Sequence, residues 1–86
     1  MITVANLIAA GLVNSGTRLT WKRRGGNNFF AEIQSNGSIK TADGAVHKSP
    51  SGAARKLVGR PVDGWGVWRV PSGKTLGELR TQLIVT

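Results

Sequence analysis

The 86-residue chain contains no cysteine and no tyrosine, one histidine and only four Asp and Glu residues. The absence of cysteine excludes disulfide bridges and thiolate metal sites. One histidine and scattered carboxylates do not match the ligand spacing of a metal site, so we expect no metal and no cofactor. Catalysis also needs paired acid–base or nucleophile–base groups, which the sequence does not offer. We therefore expect that the protein is not an enzyme.

The few carboxylates that are present have structural explanations. Asp43 and Asp63 each precede a glycine, a pairing that favours turns for backbone reasons. Glu78 completes a Thr-x-x-Glu capping box, which marks the start of a helix. His47 lies two residues before Ser49, but no carboxylate is evident to orient its imidazole. A serine nucleophile is therefore not indicated.

The sequence also lacks a long apolar run. Residues 1–13 are rather apolar, but they have no basic n-region and are shorter than the roughly 20 residues of a membrane-spanning helix. We expect a cytoplasmic protein made of one domain, residues 1–86. A chain of this length has a thin core, so its three Trp and two Phe must supply much of the buried surface.

Basic residues, in contrast, are abundant. Twelve Lys and Arg against four Asp and Glu give a net charge of +8. Such an excess on a short chain favours polyanionic partners, and nucleic acid before an anionic membrane. We expect double-stranded DNA as the partner, with no membrane and no small-molecule substrate. RNA binding, and an adaptor or inhibitor that docks on an acidic protein, stay open as alternatives.

The patterns predict an α+β fold, an antiparallel meander of four to five short strands packed by three short helices in the order α-β-β-β-β-α-β-α. The first helix begins after a Thr3 cap and ends near Gly11, which favours a left-handed stop. Alternating apolar and polar residues between turn signals indicate the strands. A meander buries one face of its sheet, so the helices must cover that face. The four strands of the meander are predicted at residues 17–24, 29–34, 38–41 and 45–48.

Residues 49–70 are the stretch around which we expect the rest to fold. Ser49 is suited to cap a helix and Pro50 to occupy its first position, while Gly59 can end it in a left-handed conformation. After an Asp-Gly turn, residues 65–70 are rich in Trp and Val, which favour strands. The sequence therefore predicts a short basic helix that returns through a turn onto a Trp-rich strand.

The basic residues form two groups that could contact phosphates. One lies at the end of the first predicted strand, next to the hairpin tip predicted at residues 25–28, and the other surrounds the central helix. Free N–H groups, serine hydroxyls and the helix dipole at the start of that helix favour an anion. The alternative is that the serine only caps the helix and the cations form a solvated face. The predicted DNA-binding residues are Lys22, Arg23, Arg24, Lys48, Ser49, Ser51, Arg55, Lys56 and Arg60.

Trp65 is a candidate base contact. It lies between Gly64 and Gly66, which leave room for a flat group, and a flipped or modified base could stack on its ring. The alternative is that the tryptophans are core residues, which is common in small domains. Trp68 has the same strand parity as Val70 and is the better core candidate.

Several stretches resemble the RAMA domain (restriction enzyme adenine methylase associated). They include LIAAGL at 7–12, GTRLTW at 16–21, Asp43-Gly44 and SPSGAA at 49–54. Residues 59–65 with Trp68, and residues 73–80, are similar to a related bacterial domain of unknown function. The positions that match these motifs are Ser49, Pro50, Ser51, Ala53, Ala54, Gly64, Trp65 and Trp68.

The resemblance implies a function as well as a fold. It implies a non-catalytic module that binds double-stranded DNA and is suspected of sensing adenine methylation. Such a module is expected to be associated with restriction–modification and with the nucleoid.

Overall fold

The centre of the fold is a four-stranded antiparallel sheet, described by a computed structural model of residues 1–85. Neighbouring strands in the sheet are also neighbours in sequence, which confirms the predicted meander. Leu19 lies opposite Ala31, and Ile33 lies opposite Ile39. Thr86, the last residue of the expected domain, lies outside the described residues. The strands are β1 (Arg18–Trp21), β2 (Phe29–Ile33), β3 (Ile39–Thr41) and β4 (Val46–His47).

The helices begin and end where the capping signals indicate. Thr3 caps the first helix and forms a reciprocal capping box with Asn6. That helix stops at a left-handed Gly11 with φ of 76°, and Leu12 N donates to Leu7 O at 3.0 Å. The helices are α1 (Val4–Ala9), α2 (Pro50–Val58), α3 (Gly64–Val67) and α4 (Leu76–Val85).

One face of the sheet supplies the core, and the other is open to solvent. Trp68 is fully buried and meets Trp21 edge to face, with ring centroids 5.8 Å apart, while Trp21 also contacts Phe29 at 5.3 Å. Helix α2 packs against β3 and β4 on this covered face. The alternation predicted for the strands is therefore confirmed. Buried core residues include Val4, Leu7, Leu19, Ala31, Ile33, Ile39, Ala53, Trp68, Leu76 and Leu79.

Helix α3 replaces the first part of the strand predicted at residues 65–70. The Asp63 side chain accepts the Trp65 N–H at 3.1 Å, so the Asp-Gly pair starts a helix instead of a turn into a strand. Extended backbone resumes after Trp68, and Arg69 exchanges two 2.9 Å backbone hydrogen bonds with Thr20 of β1. The predicted α+β class and element order are confirmed, with the extended residues after Trp68 in the place of the predicted fifth strand. Residues 1–85 contain four helices instead of the predicted three.

Candidate nucleic-acid interface

The serines at the start of α2 are both used by the backbone. Ser49 is the N-cap, as predicted, and its Oγ accepts the Gly52 N–H at 3.0 Å. Ser51 Oγ accepts the Gly64 N–H at 3.0 Å, which ties α2 to the start of α3. These bonds give both hydroxyls a structural role, and their contact with a phosphate stays a prediction.

Two further contacts fasten α3 to the start of α2. Gly64 is buried so closely that a Cβ at this position would lie 2.1 Å from the carbonyl carbon and oxygen of Pro50. The fully buried Trp68 donates its indole Nε1–H to Pro50 O at 3.1 Å. We call Pro50, Ser51, Gly64 and Trp68 the α2–α3 clasp. Trp68 is therefore a core residue, as predicted, and its polar atom completes the clasp.

A basic hollow lies beside the clasp, between β4 and the outer side of α2. Its lining consists of His47, Gly52, Arg55, Lys56 and Gly59, and it contains no carboxylate. Arg55 and Lys56 are exposed, and they also lie in the last turn of α2, where cations complement the helix dipole. The lining could therefore accept an anionic group.

Lys48 and Arg60 flank the same helix. Lys48 directly precedes the N-cap and Arg60 directly follows the left-handed Gly59, and both side chains are exposed. The structure thus brings four of the predicted cations to one helix. We call Lys48, Arg55, Lys56 and Arg60 the α2 basic surface.

His47 is a member of this hollow that the sequence reasoning did not select. Its Nε2 lies 3.4 Å from the Thr41 hydroxyl, which in turn hydrogen-bonds to the Asp43 carboxylate and to Ala45 O. The Thr41 hydroxyl, followed by the Ala45 N–H, holds the pKa of Asp43 below its ordinary value of 3.8. His47 thus joins a polar network at the edge of the hollow.

The hairpin tip forms a second, separate group of cations. Lys22, Arg23 and Arg24 are exposed between β1 and β2, and none of them lines the hollow at α2. The Arg23 guanidinium lies 4.8 Å from the centroid of the Phe29 ring and 5.8 Å from that of Trp21. The hairpin tip lies beyond the end of the sheet at which β1 ends. Lys48, the residue after β4, lies at the opposite end of the sheet.

Trp65 is less free than a stacking platform requires. It is half-buried, and its ring packs against the core. The Arg80 guanidinium lies 4.5 Å from the ring centroid, so a cation occupies the position over the ring. A base that stacked there would have to displace Arg80. The predicted base contact at Trp65 is untested by these contacts and stays a prediction.

The carboxylates are held by local partners and neutralise few of the cations. Asp63 caps α3, and Glu78 Oε1 accepts the Thr75 N–H at 3.1 Å in the predicted capping box. Within residues 1–85, Arg69 is the one Lys or Arg that forms an ion pair, with Glu78 at 3.9 Å. The remaining Lys and Arg residues of that part of the chain form no ion pair with a carboxylate.

Neither a metal site nor a membrane-spanning helix is found in the part of the chain that the structure describes. Among residues 1–85, no three His, Asp or Glu side chains are grouped so that they could hold a metal ion. Over the same residues, none of the helices combines the length and hydropathy that crossing a bilayer requires.

The open face of the sheet carries cations that the sequence reasoning left out of its site. Arg18 and Lys40 are exposed on this face, on either side of β2, and the Arg18 guanidinium lies 4.3 Å from the centroid of the exposed Phe30 ring. The alternation of β1 does place Arg18 opposite the core side chain Leu19. The contact between Arg18 and Phe30 depends on the pairing register of β1 and β2, which cannot be read from the sequence.

The fold and its surface define the class as a small α+β domain with almost entirely unpaired cations. The chain belongs to the RAMA family, described as Restriction Enzyme Adenine Methylase Associated, because the model of that family matches residues 1–85. The expected membership is thereby confirmed. No curated protein matches the sequence.

Proposed function

We propose that this protein is a non-catalytic module that binds double-stranded DNA through its phosphates. The observation that carries the proposal is the hollow between β4 and α2, which is lined by Arg55 and Lys56 and by no carboxylate. Cations that line a hollow without a carboxylate favour a phosphate there, because their contact with the duplex releases condensed counterions.

The length of the α2 basic surface supports a duplex as the ligand. The nine residues of α2 extend over about 14 Å at ~1.5 Å per residue. Lys48 and Arg60, which flank the helix, can therefore reach phosphates separated by about four base pairs, at ~3.4 Å of axis per base pair. The basic hairpin tip would add contacts further along the duplex.

The family description supports DNA ahead of RNA, because it refers to restriction enzymes and adenine methylases. We propose further that the domain distinguishes methylated from unmethylated adenine, with Trp65 as the candidate base contact. In a cell, such a module would lie on nucleoid DNA. Both refinements depend on DNA binding itself.

Binding of the wild-type protein to a short labelled duplex, followed by fluorescence anisotropy at several salt concentrations, tests the proposal. If about five phosphates are neutralised, log affinity should fall against log salt with a slope of roughly −4 to −5. A flat response to salt would contradict the proposal.

Two further arms of the titration sharpen the result. The same duplex with methylated adenine should bind with a different affinity, and equal binding would remove methylation sensing while leaving DNA binding. Polyglutamate serves as a competitor of matched charge sign. If it displaced the duplex at equal charge concentration, docking on an acidic protein would be the better description.

A further inference from the structure

The open face of the sheet carries an exposed aromatic ring. Phe30 belongs to β2, a central strand, and 38% of its surface is exposed, whereas its neighbour Phe29 packs into the core. The other exposed large hydrophobic residues of the described chain lie at its two ends or on the edge strand β4. Packing therefore does not explain the Phe30 ring.

The ring already holds a planar cation. The Arg18 guanidinium lies 4.3 Å from the ring centroid, and Arg18 forms no ion pair within residues 1–85. Glu32, which is directly opposite Arg18 in the register, instead accepts a hydrogen bond from the Gln34 amide at 3.2 Å. Arg18 and Phe30 thus form a flat pair whose charge is not satisfied by the protein.

A hollow opens next to this pair, on the side of β3. It is lined by Phe30, Arg18, Glu32, Lys40 and Ala42, with backbone of the two strands beneath. Ala31 pairs with Thr41, so the next position of the register places the small Ala42 beside Phe30. Lys40, the residue before Thr41 in β3, is paired with Glu32, and the Lys40 side chain is exposed. The hollow therefore combines an aromatic ring with two cations and one carboxylate, that of Glu32, which already accepts a hydrogen bond from Gln34.

We propose that this hollow binds an unpaired nucleotide of a single-stranded nucleic acid. The base stacks on the Arg18 guanidinium, which lies over the Phe30 ring and is held there by it, and Lys40 contacts the neighbouring phosphate. Aromatic rings on an open sheet face suit unpaired bases, because these offer a free π-face, whereas the bases of a duplex are stacked on one another. DNA and RNA share this chemistry.

Charge argues against a second copy of the chain as the occupant. Two copies that met through this face would each bring two cations, Arg18 and Lys40, and one carboxylate, Glu32, which is already hydrogen-bonded to Gln34, so positive charge would be in excess at the contact. A phosphodiester supplies the opposite charge. The site lies on the face of the sheet opposite to α2, so it is separate from the surface assigned to duplex DNA.

Phe30→Leu tests the proposal, because it keeps an apolar side chain and removes the ring. The probes are labelled oligodeoxycytidylate and oligocytidylate of equal length, and the readout is fluorescence anisotropy. We expect about a ten-fold weaker affinity for the probe that the wild type binds, since stacking on an aromatic ring is worth ~1–3 kcal/mol per base. The probe that binds more tightly identifies DNA or RNA as the source.

Val46→Thr is the matched control, because Val46 is an exposed apolar residue on the edge strand β4. It should leave the affinity for both probes unchanged, and the urea midpoints of the two variants should equal that of the wild type. Lys40→Gln provides a second test, since it should weaken binding and reduce its salt dependence without altering the ring.

The proposal is overturned if Phe30→Leu binds the oligonucleotide as well as the wild type does. It is also overturned if the wild type binds neither probe, or if it self-associates through a contact that Phe30→Leu removes. Phe30→Leu should leave the affinity for duplex DNA unchanged, because its ring lies on the face of the sheet opposite to α2. Failure of the duplex proposal would therefore appear in Arg55→Gln/Lys56→Gln and not in Phe30→Leu.

Discussion

The start of α2 and the outer side of the same helix are about one turn apart, yet they differ in almost every physical respect. At the start, Pro50 is buried and Ser51 is engaged by the Gly64 N–H. On the outer side, Arg55 and Lys56 are exposed and form no ion pair within residues 1–85.

This difference shows that the motif residues of the α2–α3 clasp and the cations of the α2 basic surface are separate sets. The positions that carry the resemblance to the RAMA family include the whole α2–α3 clasp, whose contacts are internal. The cations that we assign to DNA lie outside those positions. Changes in the clasp should therefore act on folding, and changes in the α2 basic surface should act on binding.

The largest effect is expected for Gly64→Ala. Its methyl group would lie 2.1 Å from the Pro50 carbonyl, a contact that only backbone movement can relieve. We expect a loss of more than about 3 kcal/mol in the free energy of unfolding, measured by urea denaturation, which is a large part of the ~5–15 kcal/mol of a typical domain.

Gly66→Ala, two residues along the same short helix, is the matched control. A Cβ there would meet its nearest neighbour, Asp63 Oδ2, at 3.6 Å, an ordinary contact. Its stability should equal or slightly exceed that of the wild type. Equal stability of the two alanine variants would mean that Gly64 does not hold α3 against α2.

A smaller effect is expected for Ser51→Ala. The substitution leaves the N–H of the buried Gly64 without its acceptor, which should cost about 1–2 kcal/mol of unfolding free energy. Ser49→Ala removes the N-cap and should cost ~1 kcal/mol. Urea denaturation checks both variants.

The same serine variants separate the structural role from a phosphate contact. The affinity for duplex DNA should change less than about two-fold, because both hydroxyls are used internally. If Ser51→Ala kept its stability and lost duplex affinity, the serine would be a phosphate ligand, and the division between motif and recognition surface would fail.

The smallest effect is expected for Asp43, whose carboxylate accepts hydrogen bonds within its own turn. Its pKa is lowered by the Thr41 hydroxyl and then by the Ala45 N–H. A lowered folded-state pKa adds stability above the unfolded value of 3.8 and loses it as the pH falls through the folded value. In an NMR titration, the Asp43 pKa should therefore be lower in the wild type than in Thr41→Val.

The urea midpoint provides the matching stability measurement. As the pH is lowered from neutral through the folded-state pKa of Asp43, the urea midpoint should fall less in Asp43→Asn than in the wild type. The difference between the two proteins should be small, because Asp43 is exposed. An identical decline in both proteins would contradict a stabilising role for the ionised carboxylate.

Local signals made much of the fold predictable. The caps at Thr3 and Ser49, the left-handed Gly11 and Gly59, and the box that ends at Glu78 each act within a few residues. Strand faces followed from simple alternation. Each of these features is therefore readable from a short window of sequence.

Helix α3 could not be predicted in this way. Its Trp and Val residues favour strands, and although Asp63 supplies a local cap, the contacts that hold Gly64 in place are with residues 13 or more positions earlier in the chain. The same limit applies to the site. The α2 basic surface is local and was predicted, whereas the hollow at Phe30 depends on the register of three strands.

The salt dependence of duplex binding by Arg55→Gln/Lys56→Gln, measured beside the wild type, tests the central claim most directly. The account predicts a weaker affinity on every duplex sequence and a slope of log affinity against log salt that is smaller in magnitude by about two, since two phosphate contacts are lost. Stability should stay unchanged, because both side chains are exposed. An unchanged affinity and slope in this double variant would contradict the account, because duplex DNA would then bind elsewhere on the protein.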